Sequence, residues 1–327
     1  MSKKVASKEV KKVEEKPKLN YEDLILRNLS NARLTLDKQG YQFVNLNLAE
    51  KSLDSLNIVF QNYKALQNID LHGNNLSDIS VLSSLPNLIR LNVSQNNIKD
   101  MKALQNEEGF RNLKYLNLQK NRINELLTPK CPNLMHLNLN ENNIDKMETF
   151  EGLEPLKILE LRSNRISSIQ QLINMPKLQE LYLAQNKIKQ IVGIDSLVSL
   201  QRLHLRQNNI EVFEETFPNL ENLQYLNLRE NKVEKIEEIN KLVTLPNLKV
   251  LIHSFNPIIN KNANYLFETI NSLLKLERIN KLQITKNIKL NAFAYAEDKY
   301  NKDQQERKRI EEEELLKQQQ EENKEEN

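Results

Sequence analysis

Cysteine is nearly missing from this sequence. Cys131 is the only one in 327 residues, so no disulfide can close within the chain and a reducing compartment is expected. Glycine is scarce too; five residues leave little material for a phosphate-binding loop. No stretch reaches the ~18 consecutive apolar residues of a membrane span. The opening MSKKVASKEVKK lacks the apolar run of a secretory signal. Neither sign of charge dominates: the net of +3 is too small for a nucleic-acid binder of this length. These absences predict a cytoplasmic protein with neither membrane nor nucleic acid among its partners.

What the sequence has in quantity is leucine and asparagine at fixed spacing. From Leu178 to Ile210 the pattern L-x-x-L-x-L-x-x-N-x-I occurs twice, as Leu178, Leu181, Leu183, Asn186, Ile188 and as Leu200, Leu203, Leu205, Asn208, Ile210. The same Asn position recurs at Asn74, Asn96, Asn121, Asn142, Asn164, Asn186, Asn208, Asn231 and Asn256. A degenerate first copy precedes them, with Phe43, Leu46 and Leu48 as its inward residues and Lys51 in place of Asn. This is the signature of a leucine-rich repeat, in which each repeat supplies one short strand to a solenoid. The expected fold is α/β, a leucine-rich repeat solenoid of about ten repeats over residues 43–260, with a parallel sheet on its concave face. In each strand the period of two points the Leu pair inward and their neighbours outward. The Asn side chain, with two donors and an acceptor, suits the point where the backbone leaves the sheet. The nine are therefore expected to stack as a buried structural ladder.

Apolar residues three apart, such as Leu76, Ile79, Leu82 and Leu85, predict 3-10 or short helical segments on the convex side. Pro86, Pro132, Pro176, Pro218 and Pro246 stand two residues before the next Leu and are expected to end those segments. Around the solenoid, residues 1–18 read as a disordered basic tail with seven Lys against three Glu. Residues 19–42 read as a helical N-terminal cap opened by Asn20. Residues 261–290 read as a C-terminal cap with Tyr265, Leu266, Ile270, Leu273 and Leu274 on one helix face. Residues 291–327 read as a charged tail, a projecting helix that frays and adds little to folding. His253 takes an inward position held by Leu or Val elsewhere and is read as a core histidine with its polar atoms satisfied.

The outward strand positions hold the candidate protein-binding residues: Tyr115, His136, Arg162, Tyr182, Arg202, His204, Arg206, Tyr225 and Arg229. Arg and Tyr are types enriched where interfaces concentrate their energy. Arg206 and Arg229 are expected side by side, where two guanidinium groups about 5 Å apart repel. A partner's carboxylates would relieve that repulsion. Catalysis finds no constellation. His136 and His204 should lie three strands apart, roughly 14 Å, too far to share a metal whose bonds are about 2 Å. Cys131, between Lys130 and Pro132, reads as an inert small hydrophobe. No catalytic, metal or cofactor-binding residue is assigned, and the chain is read as not an enzyme.

The 22-residue offset and the LPNL and MPKL leads resemble the phosphatase-regulatory leucine-rich repeat proteins and the axonemal dynein light chain. LQELYLAQNKI, LQRLHLRQNNI, NLQYLNLRENKV and YLFETINSLLKLERINK resemble one family more closely, that of leucine-rich repeat-containing protein 23. The resemblance extends over roughly residues 20–310 and is strongest from Met175 to Lys281. It implies a non-enzymatic scaffold of the ciliary axoneme, in the third radial spoke, serving motility. Its partners would be other axonemal proteins in a hetero-complex rather than a homo-oligomer, and its place the cilium. The alternative is a phosphatase-regulatory subunit holding a catalytic partner on the same concave face.

Overall fold

The computed structural model describes residues 20–35, 38, 40–213 and 215–325, with side chains through residue 319. The basic segment 1–18 lies outside them. The N-terminal helix α1 (Tyr21–Asn28) is capped as its sequence requires: the Asn20 side chain accepts from Asp23 N–H at 3.3 Å. Ile25 is its buried residue, and Tyr21 donates to Ser55 O at 2.7 Å. The helix leads into β1 (Leu29–Leu34), which pairs antiparallel with β2 (Tyr41–Asn47). The N-terminal cap is thus a helix plus a hairpin, not helical throughout.

From β2 the sheet is parallel, one strand per repeat. The members are β3 (Asn68–Asp70), β4 (Arg90–Asn92), β5 (Tyr115–Asn117), β6 (His136–Asn138), β7 (Ile158–Glu160), β8 (Glu180–Tyr182), β9 (Arg202–His204), β10 (Tyr225–Asn227) and β11 (Val250–Ile252). Then come β12 (Arg278–Ile279) and an antiparallel β13 (Leu282–Gln283). The thirteen strands follow chain order without a crossover. A hairpin ends the sheet on each side, so its two edge strands, β1 and β13, are antiparallel to their neighbours. Every three-residue strand buries its central residue and turns its two flanking residues outward.

The first copy departs from the motif. β2 is longer than the other parallel strands, and its period of two from Leu46 places Val44 inside and leaves Phe43 half exposed at 48%. On the convex side, 3-10 segments form at Ile58–Asn62, Ser80–Ser84, Lys102–Gln105 and Lys241–Thr244, with helix α2 at Ile236–Asn240. Between Gln105 and Ile236 the described residues form none. There the three-residue spacing is satisfied by single turns, such as Leu172 N–H to Ile169 O and Leu197 N–H to Ile194 O, each at 3.0 Å. One i→i+3 bond per turn buries the same apolar residues without a continuous helix.

All nine Asn residues of the ladder are buried. Each bridges two repeats. Asn186 Oδ1 accepts from Ile166 N–H at 3.0 Å, while its Nδ2 donates to Leu161 O at 2.9 Å and to Leu183 O at 3.1 Å. The residue before each ladder Asn has positive φ, from Gly73 (68°) through Gln185 (58°) to Phe255 (60°). Only Gly73 is of the type that favours this region.

The C-terminal end differs from the sequence expectation. After α3 (Ile258–Lys261), α4 (Tyr265–Ser272) buries Thr269 and Ile270, and Leu273 follows it into the core, but Leu274 is 55% exposed. Helix α5 (Lys286–Glu325) runs for 40 residues and passes straight through the expected boundary at residue 290. Its beginning belongs to the cap. Ala292 is fully buried, Tyr295 donates to Glu268 at 3.1 Å, and Lys299 donates to the same carboxylate at 2.8 Å. The hydrogen bonds from Lys299, Asn262 and Tyr295 outweigh the upward push of burial and hold Glu268 below the usual carboxylate range.

Candidate protein-binding face

The concave face is the outward side of β2 to β11. Because these strands pair in register, residues at equivalent positions form rows across the sheet. One row carries Tyr182 on β8, His204 on β9 and, one strand on, Asn227. Tyr225 stands at the other outward position of β10 and leans back over His204. The three rings stack: Tyr182 to His204 at 4.5 Å and 22°, His204 to Tyr225 at 4.7 Å and 30°. Three aromatic rings thus form one platform across three strands, half buried and open to the groove. Stacked contacts of this kind favour a fixed orientation over a mobile one.

Electrostatics tie the platform down. Burial, with the neighbouring Arg202 charge, lowers the His204 pKa to about 4, so the ring is neutral near pH 7. Its Nε2 has no hydrogen-bond partner among the described residues. Tyr182 donates a hydrogen bond from its hydroxyl to Glu180. Burial, reinforced by that carboxylate, pushes the phenol up to about 12. Glu180 also lies 3.9 Å from Arg202 Nε.

Arg206 and Arg229 do stand at matching positions on adjacent strands, but the repulsion expected between them is already relieved. Glu230 Oε1 takes Arg206 Nη2 at 2.9 Å and Arg229 Nε at 2.8 Å. The period-two reading missed Glu230 because it occupies the positive-φ position before a ladder Asn, where the backbone turns the side chain to the rim of the groove. Phe255 holds the same position one repeat later, 66% exposed, with the Arg229 guanidinium 4.6 Å from its ring centre. Reading the column of residues before each ladder Asn would have shown both. Arg162, exposed, donates to Gln185 Oε1 at 2.9 Å and extends the face toward β7.

Tyr115 and His136 belong to a different group. Their rings meet edge to face at 6.4 Å, and Arg90 lies 3.8 Å over the Tyr115 ring. His136 Nε2 is 2.6 Å from Glu160 Oε1, and Asn140 Nδ2 donates to Glu160 Oε2 at 2.6 Å. Burial raises the Glu160 pKa, but these two hydrogen bonds outweigh it and the carboxyl stays below its usual range. Glu160 and Arg90, outward on β7 and β4, complete this cluster. The structure therefore brings Tyr182, Arg202, His204, Arg206, Tyr225 and Arg229 together and leaves Tyr115 and His136 in a separate cluster.

Among the described residues, no group of three or more His, Cys, Asp or Glu side chains is placed to hold a metal, and no helix is long and apolar enough to cross a membrane. Cys131 is buried, and burial pushes its thiol up to about 12, far from a reactive thiolate. His253 is a core residue at 0% exposure, but both ring nitrogens lack hydrogen-bond partners among the described residues. Its satisfied groups are main-chain ones: its N–H donates to Asn280 Oδ1 and its carbonyl accepts from Asn256 Nδ2, each at 2.8 Å. The ring fills a leucine site against Tyr265, whose ring centre is 5.6 Å away edge to face, and burial lowers its pKa to about 4.

The geometry agrees with comparison to known proteins. The model described as "Leucine rich repeat" matches residues 132–188, 155–210 and 198–258, and "Leucine Rich repeats (2 copies)" matches 64–106. The chain belongs to the leucine-rich repeat family. Among solved structures it is similar to a leucine-rich repeat protein of Leptospira interrogans, at 28% identity and TM-score 0.60, covering 72% of this chain and 60% of that one. It is also similar to an internalin of Listeria monocytogenes, at 26% identity and TM-score 0.57, covering 72% of this chain and 67% of that one. The leucine-rich repeat chain described here thus spans less than two thirds of the Leptospira protein's length. No curated protein matches it.

Proposed function

We propose that this chain is a non-enzymatic protein-binding scaffold that holds its partner on the C-terminal half of the concave face. The Tyr182–His204–Tyr225 stack carries this reading. The fold needs no aromatic residue at those outward positions: the other strands carry Asp, Asn, Glu or Ile in the row of Tyr182 and His204, and Asn, Arg, Glu, Ile or Val as well as Tyr115 and His136 in the row of Tyr225. A preordered apolar platform ringed by Arg202, Arg206 and Arg229 has the composition of an interface centre. Stacking against neighbours orders the rings before a partner arrives, which lowers the entropic cost of binding.

The resemblance to the leucine-rich repeat-containing protein 23 family is what supports the finer reading: a scaffold of the ciliary axoneme, at the third radial spoke, in a hetero-complex with other spoke proteins. In ciliated cells, a tagged chain should concentrate in axonemes and co-purify with spoke proteins after detergent extraction. Tyr182→Ala with Tyr225→Ala should lose that co-purification while the chain stays folded by circular dichroism. A chain that spreads through cytosol and nucleus and captures a phosphatase catalytic subunit would move the reading to the phosphatase-regulatory alternative.

A further inference from the structure

The N-terminal end of the concave face is built differently from the aromatic platform. On β2 the outward row continues beyond Asn45 to Phe43 and Tyr41, with Ala32 and Leu34 opposite them on β1. Leu34, Tyr41 and Phe43 are 48%, 73% and 48% exposed. They form an apolar shelf at the end of the sheet. Beside it opens a hollow of about 500 Å³, lined by Asn45, Asn47, Asp70, Arg90, Tyr115 and Asn117 among others.

The hydrogen bonding of this hollow has a direction. Asn47 Oδ1 accepts from Ala49 N–H at 3.0 Å, Asn117 Oδ1 from Gln119 N–H at 3.0 Å, and Asn138 Oδ1 from Asn140 N–H at 2.9 Å. Asn45 Oδ1 takes Asn68 Nδ2 at 2.8 Å. Each oxygen is committed to the protein, and each of the four Nδ2 groups has no acceptor among the described residues. Acceptors are fewer. Asp70 Oδ1 already takes His72 N–H, the His72 ring Nδ1 and Asn92 Nδ2, which leaves its other oxygen and Asn68 Oδ1. Arg90 rests on the Tyr115 ring at 3.8 Å and has no carboxylate within ion-pair distance among the described residues. Open donors and one unpaired cation face the groove.

We propose that this end of the groove binds an extended acidic segment of a partner protein. An apolar side chain of that segment sits on the Leu34–Tyr41–Phe43 shelf, and its carboxylates and main-chain carbonyls face the Asn row and Arg90. Only acceptors can replace the water on those amides without stranding the donors. The carboxylates belong opposite Arg90, Asn117 and Asn138 on β4 to β6, off the Asp70 carboxylate on β3, where a basic segment would meet Arg90. The surface lies three strands from Tyr182 at its nearest ring, Tyr115, so it is a second contact, independent of the aromatic platform.

Fluorescence anisotropy with the full chain tests this. The probe is a labelled peptide Ser-Phe-Ser-Glu-Ser-Glu-Glu-Ser, beside one with Lys for Glu and one with Ala for Phe. The Glu peptide should bind saturably and at least tenfold more tightly than the Lys peptide. Asn117→Asp keeps the oxygen that accepts Gln119 N–H and removes the donor; it should weaken binding at least tenfold. Phe43→Ser, at an exposed residue, should weaken it at least fivefold and match the loss seen with the Ala peptide. Tyr182→Ala with Tyr225→Ala should leave peptide binding unchanged, which separates this surface from the scaffold reading. Absence of saturable binding, equal binding of the Glu and Lys peptides, or unchanged binding by both Asn117→Asp and Phe43→Ser would overturn the proposal. So would self-association of the chain abolished by Phe43→Ser, which would make a second copy the occupant.

Discussion

Replacing Asn186 separates the two halves of the ladder's work. Among the described residues, its oxygen is the only partner of the buried Ile166 N–H. Its nitrogen serves Leu161 O and Leu183 O, but these carbonyls also accept from Asn164 and Asn208. Asn186→Ala therefore strands one buried donor outright and halves the satisfaction of two acceptors. A stranded buried donor costs roughly 1–3 kcal/mol, so a total of about 2–3 kcal/mol is expected, with the half-satisfied carbonyls adding the upper part. Asn186→Asp keeps the acceptor and turns a second oxygen toward both carbonyls, so at neutral pH it should destabilise more than Ala does. That carboxyl would be raised in the folded state above its unfolded value. The extra cost is absent below the unfolded pKa and grows as the pH rises through it toward the folded value. Urea unfolding of both variants between pH 3.5 and 7, about half a unit below the free Asp pKa to well above it, reads the difference. Gln185→Ala, one residue away, removes a side chain whose oxygen accepts from the Arg162 and Ser163 side chains and should cost under about 1 kcal/mol. Equal losses for Asn186→Ala and Gln185→Ala, or an Asp variant with no pH dependence of its own, would refute the ladder argument.

Two further outcomes follow from the C-terminal half. The His253 pKa is about 4 against 6.5 for a free imidazole. The unfolded chain takes up the proton first, so stability is complete above 6.5 and falls as the pH drops toward about 4. His253→Leu should flatten part of that slope in a series of pH-dependent melts, with His204 and, at the acid end, Glu160 and Glu268 contributing to what remains, and should raise stability by about 1–3 kcal/mol by removing two buried nitrogens without partners among the described residues. Truncation after Lys302 should leave the melting temperature unchanged. Truncation after Asn291 removes Ala292, Tyr295 and Lys299 from the cap and should lower it by several degrees, as a loss of about 1–2 kcal/mol does.

The solenoid was legible in the sequence because its cause is local and repeated. Leu at a strand's inward positions and Asn where the chain leaves the sheet are required at every turn, so one copy teaches the next. That reasoning reached the nine ladder residues, the parallel sheet and the outward positions of Tyr182, His204 and Tyr225. It failed where one repeat differs from its neighbours. Phe43 turned outward because β2 is long enough to keep a strict period of two. Glu230 escaped notice because its role depends on a positive φ that no residue type announces, and it is Glu230 that reconciles Arg206 with Arg229. The start of α5 was read as tail because only packing against α4 makes Tyr295 and Lys299 part of the cap. Sequence alone determined the fold, since inward burial follows from pattern. Tertiary structure decided which outward residues meet, since stacking, shared carboxylates and open amide donors arise between strands that are some twenty residues apart in the chain.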